Sequence, residues 1–198
     1  MDFDRPPANP IEPFLAWLRD AERLDLPNPN AMSLATVDPD GRPSVRIVLL
    51  KGFDERGAVF FTNCRSRKGR ALEAHPRAAL HFHWDPLHRQ VTIEGAVTRV
   101  SDEESDAYFA TRPRASQLGA WASRQSEPAA ARGELDAAFA AMEKRFEGRD
   151  VTRPPHWGGY RVALERIAFW EARAFRMHDR IVYTPDDAGG WRVQRLYP

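Results

Sequence analysis

The sequence predicts a small antiparallel β-barrel with peripheral helices, a mainly β fold of the α+β class. Three observations predict it. At least six short segments rich in β-branched and apolar residues read as strands, turn residues separate them, and helical patterns are inserted between them. The regular strand–helix alternation of a Rossmann fold is missing, as is a GxGxxG following a strand. No repeat or linker divides the chain, so we expect one domain over residues 1–198.

The first predicted element is a helix that begins at Asn9 and Pro10, an N-cap followed by a favourable first helical residue. Apolar residues then recur at helical spacing until the chain reaches Pro27. Residues 1–9 form a short N-terminal arm in front of this helix, and we do not expect that arm to cover a binding site.

Eight further segments are predicted as strands and three as helices. The strands are residues 31–37, 43–51, 58–63, 77–84, 89–100, 160–174 with a break, 175–184 and 191–196. The helices are residues 66–75, capped by Ser66, residues 101–111, opened by a capping box at Ser101, and residues 129–146. Pro113 is interpreted as a breaker after the second of these helices.

Composition limits the classes of partner. The chain has 29 basic and 28 acidic residues, a net charge of +1, which argues against a general nucleic-acid or membrane-surface binder. No apolar run has the length of a membrane span, and the polar, Pro-rich start lacks a signal-peptide core. Cys64 is the only cysteine, which rules out an internal disulfide and fits a cytoplasmic location. His81 and His83 share a strand face, but nothing completes a metal site, so no metal is expected.

Basic residues gather at several points that could hold a phosphate. Ser66, Arg67 and Lys68 open a predicted helix, where free N–H groups, a hydroxyl and two cations meet. Arg46 and Lys51 flank an apolar run, and a strand end or bulge is needed to bring them to one site. Each feature could equally be a solvated helix end or a buried strand with charged ends.

Two other groups of side chains carry the same ambiguity. Tyr108 and Arg112 are neighbours on a helix face, with Ser116 four residues further on. Arg176, His178 and Arg180 have the same parity in a predicted strand and so project from one face, or simply form a solvated edge strand. Together with three tryptophans (Trp121, Trp157 and Trp170), these groups suit one flat phosphorylated cofactor and one phosphorylated substrate.

At these residues the chain resembles the pyridoxine/pyridoxamine 5'-phosphate oxidase family. The similar stretches include RIVLLK at residues 46–51, SRKG at 66–69, RPRASQLGAW at 112–121, WGGYR at 157–161 and RMHDR at 176–180. They follow one another in order from about residue 9 to the end of the chain. Phe61 and Cys64 depart from the family pattern, in which tyrosine is frequent at the first position and tyrosine or leucine at the second.

The resemblance implies an FMN-binding split β-barrel that works as a homodimer with each flavin at the subunit interface. It implies FMN contacts from Arg46, Lys51, Thr62, Arg67, Lys68, Gln90, Gln125, Ser126, Trp170 and Arg180. It implies substrate-phosphate contacts from Lys51, Tyr108, Arg112 and Ser116, with Arg176 and His178 as catalytic residues that face the substrate ring.

The activity implied is oxidation of pyridoxine 5'-phosphate or pyridoxamine 5'-phosphate to pyridoxal 5'-phosphate, with O2 as acceptor and hydrogen peroxide as product; the amine also yields ammonia. Two alternatives remain open. A related flavin oxidase acting on a phenazine precursor would not need the substrate-phosphate residues. A non-catalytic carrier of flavin or pyridoxal phosphate could lose Arg176 and His178 without harm.

Overall fold

A computed structural model describes all 198 residues, Met1–Pro198, and confirms a mainly antiparallel sheet with helices around it. Its ten strands are β1 (Ala31–Val37), β2 (Pro43–Leu49), β3 (Gly52–Asp54), β4 (Gly57–Asn63), β5 (Arg77–Trp84), β6 (Arg89–Arg99), β7 (Trp157–Val162), β8 (Arg166–Glu171), β9 (Asp179–Pro185) and β10 (Trp191–Arg195). Its five α-helices are α1 (Ile11–Glu22), α2 (Arg67–Ala74), α3 (Asp102–Ala110), α4 (Arg114–Ala122) and α5 (Arg132–Arg145).

The strands follow the order β10-β9-β8-β6-β5-β1-β2, and neighbouring strands in this order are antiparallel. The long strand β6 splits the sheet, because it pairs with β5 and β8 along most of its length and with β7 near its C-terminal end. β7 continues to β4 and then to β3. This branching bends the sheet into a half-barrel and leaves β2 as one edge of the main path.

The main core fills the concave side of the sheet. Period-two alternation directs Leu34, Phe82 and Ile93 inward, and all three are fully buried. Helix α1 covers this layer with Phe14 and Trp17, and each such side chain contributes about 1.5–3 kcal/mol through removal from water. A smaller cluster lies under α3, α4 and α5 and comprises Phe109, Leu118, Phe146, Val151 and Trp157.

The predicted caps of α2 and α3 are confirmed, whereas the N-cap of α1 is Pro10 rather than Asn9, whose Oδ1 accepts from Ile11 N at 2.9 Å. Ser66 Oγ accepts from Gly69 N at 3.3 Å, and Ser101 Oγ accepts from Glu104 N at 3.1 Å. The N-terminal arm packs against the barrel, with Phe3 buried beside Trp17. No helix is both long and apolar enough to cross a membrane.

Several predicted boundaries are wrong for identifiable reasons. The segment 160–174 divides into β7 and β8 as expected, but it begins at Trp157 and ends at Glu171, and the last helix begins at Arg132 rather than residue 129. Helix α4 lies outside the predicted helices, because a proline at position 113 predicts a break. Pro113 instead stands just before the first helical residue, where a missing N–H costs nothing. The three-residue strand β3 lies between two predicted strands and was not predicted itself.

The predicted strand 175–184 begins only at Asp179. Residues Ala174–Arg176 form a 3-10 turn instead, in which Phe175 and Arg176 have φ angles of 57° and 61°. Left-handed residues cannot continue a strand. The argument that Arg176, His178 and Arg180 share one strand face is therefore wrong: only Arg180 lies in β9.

Candidate active site

A cleft of about 790 Å³ opens between the edge strand β2, the ends of β4 and α2, and the α3–α4 region. It brings together ten of the predicted site residues from distant parts of the chain: Arg46, Lys51, Thr62, Arg67, Lys68, Tyr108, Arg112, Ser116, Gln125 and Ser126. Arg46 and Lys51 meet there because β2 ends at Leu49, which removes the conflict posed by strict alternation.

The charge of this cleft is of one sign. Five cationic side chains line it, and no aspartate or glutamate does: Arg46, Lys51, Arg67, Lys68 and Arg112. Asp38, which is not among the residues that line the cleft, forms an ion pair with Arg67. The other four cations have no such partner and repel one another, and an anion relieves that repulsion. The cleft is therefore built to receive anionic groups.

Arg46 is fixed before any ligand arrives. Its Nη1 donates to Leu34 O at 3.0 Å and to Thr36 Oγ1 at 2.7 Å, and its Nη2 donates to Ser44 Oγ at 2.7 Å. Burial, and to a lesser degree the neighbouring Arg67, lowers the pKa of Arg46 below its ordinary value, although Asp38 opposes the shift. An arginine remains charged under these conditions, so it offers a rigid cation.

Arg67 is held by an ion pair with Asp38, whose Oδ2 accepts from Arg67 Nε at 2.9 Å. The hydrogen bond from Arg67 holds the pKa of Asp38 below its ordinary value, despite the opposing effect of burial. Sequence reasoning could not find this partner, because Asp38 lies in a turn between β1 and β2, 29 residues away.

Lys68 is a buried cation without a carboxylate partner. Its Nζ donates to Thr62 Oγ1 at 2.8 Å, to Gln125 Oε1 at 2.9 Å and to Ser66 Oγ at 3.1 Å. Burial, reinforced by the charge of Arg46, lowers the pKa of Lys68 to about 8. A bound phosphate would supply the negative charge that its three neutral acceptors do not.

The close approach of α2 to β4 depends on Gly69. A Cβ at this position would lie 2.0 Å from the carbonyl oxygen of Cys64, so no larger residue fits without displacing the backbone. The glycine thus places the first turn of α2, with Arg67 and Lys68, against the end of β4.

The other end of the cleft is aromatic. The ring of Phe61 stacks on Tyr108 at 4.2 Å between centroids and on Trp157 at 5.3 Å. Lys51 Nζ lies 5.9 Å from the centroid of the Tyr108 ring, and Arg112 Cζ lies 4.8 Å from that of Trp157. The aromatic faces therefore orient Lys51 and Arg112, and neither cation is neutralised by an ion pair.

Arg112 carries the clearest sign of a missing partner. Its Nη1 is buried and has no hydrogen-bond partner, and burial lowers its pKa below the ordinary value. A buried guanidinium N–H left unpaired is costly, and an incoming oxyanion would satisfy it. Arg112 follows the end of α3, and with Tyr108 and Ser116 it lines one part of the cleft.

The remaining five predicted residues form a second group, the C-terminal cluster: Gln90, Trp170, Arg176, His178 and Arg180. Three are direct neighbours across strands, since Gln90 pairs with Trp170 and Trp170 pairs with Arg180. The ring of His178 lies 4.6 Å from that of Trp170 between centroids.

None of the five lines the cleft of the same chain, whose edge strand β2 is five strand positions from β9. Of the three tryptophans grouped with the site by sequence, only Trp157 lines the cleft; Trp121 donates instead to Thr152 O at 2.7 Å. One chain therefore presents the predicted site in two separate parts.

The architecture places the chain in the class of split-barrel proteins related to flavin binders. Its structure aligns over 98% of its length with a pyridoxamine 5'-phosphate oxidase-related, FMN-binding protein of Nostoc punctiforme PCC 73102, with a TM-score of 0.76 and 19% identity; the alignment covers 100% of that chain. It also aligns over 99% of its length, and 96% of the other chain, with PhzG from Burkholderia lata 383, solved in complex with tetrahydrophenazine-1-carboxylic acid, with a TM-score of 0.92 and 32% identity.

Sequence comparison identifies the family. The pyridoxamine 5'-phosphate oxidase profile matches residues 18–147, and the profile of the pyridoxine 5'-phosphate oxidase C-terminal dimerisation region matches residues 157–198. A pyridoxine/pyridoxamine 5'-phosphate oxidase of Rubrobacter xylanophilus is 62% identical over 96% of this chain and 87% of its own length. One from Myxococcus xanthus (strain DK1622) is 56% identical over 97% and 93%. The chain belongs to the pyridoxine/pyridoxamine 5'-phosphate oxidase family.

Proposed function

We propose that the chain is an FMN-dependent oxidase that converts pyridoxine 5'-phosphate or pyridoxamine 5'-phosphate to pyridoxal 5'-phosphate. The observation that carries this proposal is the cleft with five cations, no carboxylate and an unpaired Arg112 Nη1. Two phosphorylated ligands, a flavin mononucleotide and a phosphorylated vitamer, account for so many cations better than one. Membership of the family supplies the chemistry.

FMN fits the end of the cleft that contains Lys68. The buried ammonium, the rigid Arg46 and the first turn of α2 offer charge and N–H groups for its phosphate. The residues of the cleft that would hold it are Arg46, Lys51, Thr62, Arg67, Lys68, Gln125 and Ser126. Bound FMN would accept two electrons from the C4' carbon of the substrate and pass them to O2, which yields hydrogen peroxide.

The substrate phosphate fits the aromatic end. Arg112 would donate its unpaired Nη1 to a phosphate oxygen, with Lys51, Tyr108 and Ser116 around it. Fixing the phosphate in this way orients the ring and brings the reacting carbon to the flavin. Lys51 lies where both ligands would approach it.

A second copy of the chain would complete the site. The C-terminal cluster is absent from the cleft of its own chain, and the family's dimerisation region covers four of its five residues. Apolar side chains are exposed in both parts: Val45 by 68% and Ile47 by 63% on β2, and Phe175 by 96% beside Arg176. Exposed apolar patches of this kind mark interaction surfaces.

We assign the partner's cluster as follows. Gln90, Trp170 and Arg180 form a continuous row across three strands and would contact the flavin. Arg176 and His178, on the adjoining turn, would face the substrate ring as catalytic residues. Arg176 would orient the ring and stabilise developing charge, as a fixed cation can.

The similarity to PhzG makes a phenazine precursor the second candidate substrate. The higher identity to the pyridoxine/pyridoxamine 5'-phosphate oxidase of Rubrobacter xylanophilus, 62% against 32% for PhzG, favours a phosphorylated vitamer over it. A carrier without activity is the third candidate, and a turnover assay separates it from an enzyme.

The test is direct. The purified protein is heated, the released flavin is chromatographed, and peroxide is followed with each phosphorylated vitamer and with its dephosphorylated form. We expect FMN and peroxide from the phosphorylated forms only. FAD as the main flavin would overturn the cofactor assignment, and equal rates with the dephosphorylated vitamers would overturn the substrate assignment.

A further inference from the structure

The turn between β8 and β9 is strained, and something must hold it. Phe175 and Arg176 have left-handed φ angles of 57° and 61°, which non-glycine residues rarely adopt. Such conformations persist where surrounding contacts fix them, and they concentrate at functional sites. Neither Phe175 nor Arg176 is buried, so the restraint comes from the two ends of the turn.

Arg173 forms the restraint at the first end. Its Nε donates to Asp179 Oδ2 at 2.7 Å, and its Nη1 lies 2.9 Å from Glu171 Oε1. These pairs tie the residue before the turn to the first residue of β9 and the last residue of β8. Burial acts to raise the pKa of Asp179, but hydrogen bonds from Arg173 and Arg195 outweigh it and hold that pKa below its ordinary value.

The backbone of Arg173 also determines the state of His178. Its N–H donates to His178 Nδ1 at 3.0 Å, and Trp170 lies against the same imidazole ring. A backbone N–H can only donate, so Nδ1 must be unprotonated to accept. In the neutral ring the proton then resides on Nε2.

We propose that Arg173 is a positioning residue that holds His178 as its Nε2–H tautomer, so that His178 donates a hydrogen bond to the substrate and does not accept its proton. This inference rests on the proposed function for the identity of the substrate. Its structural part concerns Arg173 and His178 alone. Nδ1 is occupied by the backbone, which leaves Nε2–H as the ring group that can reach a substrate oxygen.

Long-range ¹H–¹⁵N NMR of the FMN-loaded protein tests the tautomer without turnover. The chain has six histidines, and the His178 signal is assigned by its loss in His178→Gln. We expect an unprotonated Nδ1 and a protonated Nε2 in the wild type, a mixture of tautomers in Arg173→Ala, and recovery in Arg173→Lys. A protonated Nδ1 in the neutral wild-type ring, or an unchanged tautomer in Arg173→Ala, overturns the proposal.

Arg195→Ala is the matched control. Arg195 also pairs with Asp179, at 2.7 Å, and its side chain is 48% exposed against 50% for Arg173. We expect Arg173→Ala to lower kcat about two- to fivefold with little change in KM, as the loss of an exposed ion pair allows, and Arg195→Ala to leave both the tautomer and kcat unchanged. Equal effects of the two variants would show a merely structural role.

Replacement of His178 distinguishes a donor from a base. The amide of His178→Gln can place an N–H near the position of Nε2, whereas the shorter His178→Asn cannot, and neither is a base. We expect the glutamine variant to retain the higher kcat; equal and severe losses in both would mean that His178 accepts a proton. A wild-type protein that oxidises neither vitamer would overturn the proposed function and leave the NMR result to decide the tautomer.

Discussion

Lys68 and Arg176 illustrate how differently the two parts of the site are held. The Lys68 ammonium is buried and donates to three side chains of the same protomer. Arg176 stands exposed on a strained turn, and no ion pair links it to an acidic residue. The cleft is preorganised by its own chain, while the C-terminal cluster displays side chains outward.

This difference assigns different tasks to the two parts. Groups that bind a permanent cofactor benefit from rigidity, because little entropy is lost when the ligand arrives. Under the proposed function, groups displayed outward would act on a neighbouring protomer, whose cleft they would complete. If that division is right, two chains that are damaged in different parts should form one intact site when they combine in a mixed dimer.

The largest effect is expected from mixing two damaged proteins. Arg112→Ala damages the cleft, and Arg176→Leu damages the C-terminal cluster. The homodimer of either variant should oxidise substrate poorly when the substrate concentration is low. Chains that assort at random form mixed dimers with one intact site, so about a quarter of wild-type activity should return after the subunits are exchanged. The measurement is peroxide release before and after refolding the mixture. Activity that stays at the level of the separate variants would show that the site does not span two chains.

The next effect concerns one contact in the cleft. Arg112→Ala should weaken substrate binding by about 1.5–3 kcal/mol, roughly 10- to 150-fold, because a charge-assisted contact to phosphate is lost. FMN should remain bound, since Lys68 and Arg46 are untouched. Arg114→Ala is the control: Arg114 is two residues away but donates to Arg149 O at 2.8 Å, outside the cleft. Normal binding of pyridoxine 5'-phosphate by Arg112→Ala would disprove the phosphate assignment.

The two parts also differ in how well sequence reasoning predicted them. The start of α2 was predicted correctly because its cap, its cations and Gly69 are consecutive, and local geometry follows from local residues. The strand assigned to Arg176 and His178 was wrong, because an alternating pattern carries no sign of a left-handed turn formed by two non-glycine residues.

Side-chain pairs that are distant in the sequence could not be predicted either. No local pattern links Asp38 to Arg67, or Gln125 to Lys68, 57 residues apart, since such contacts depend on the fold. The resemblance to the family named residues in both parts, and the structure brings ten of them together in the cleft. The resemblance did not show that one chain keeps the two parts separate, which required the strand order.

A pH titration of FMN binding tests the role of Lys68 in the cleft. Because burial lowers the pKa of Lys68 to about 8, the flavin-free protein loses this cation as the pH rises above 8. FMN affinity should then fall, by up to roughly tenfold at pH 9, since one cation no longer faces the phosphate. The measurement is quenching of FMN fluorescence between pH 7 and 9.5.

The same pKa predicts the opposite trend for stability. The unfolded chain holds the Lys68 proton up to a pKa of about 10.4, so between pH 8 and that value it binds more protons than the folded, flavin-free protein. The contribution of Lys68 to the free energy of unfolding therefore increases with pH over this window. Lys68→Arg, which keeps its charge, should abolish both trends; a persisting fall in FMN affinity would place the titrating group elsewhere.

The smallest expected effect distinguishes two serines, Ser66 and Ser101, that are both predicted from sequence to be helix N-caps. Ser101 Oγ, which is exposed, accepts from Glu104 N at 3.1 Å, and Ser101→Ala should cost about 0.5–2 kcal/mol of stability. For a chain of this size that lowers Tm by roughly 2–4 °C per kcal/mol. FMN affinity should stay the same, because α3 does not contribute to the flavin end of the cleft.

Ser66 has the same capping role but is fully buried, and its Oγ also accepts from Lys68 Nζ at 3.1 Å. Ser66→Ala should therefore lower Tm by a similar amount and additionally weaken FMN binding several-fold, since the ammonium loses one of three acceptors that orient it. Thermal unfolding of the flavin-free variants and fluorescence titration with FMN measure the two effects separately. If Ser101→Ala weakens FMN binding as much as Ser66→Ala does, general loss of stability explains both, and the cleft is not preorganised through its own helix start.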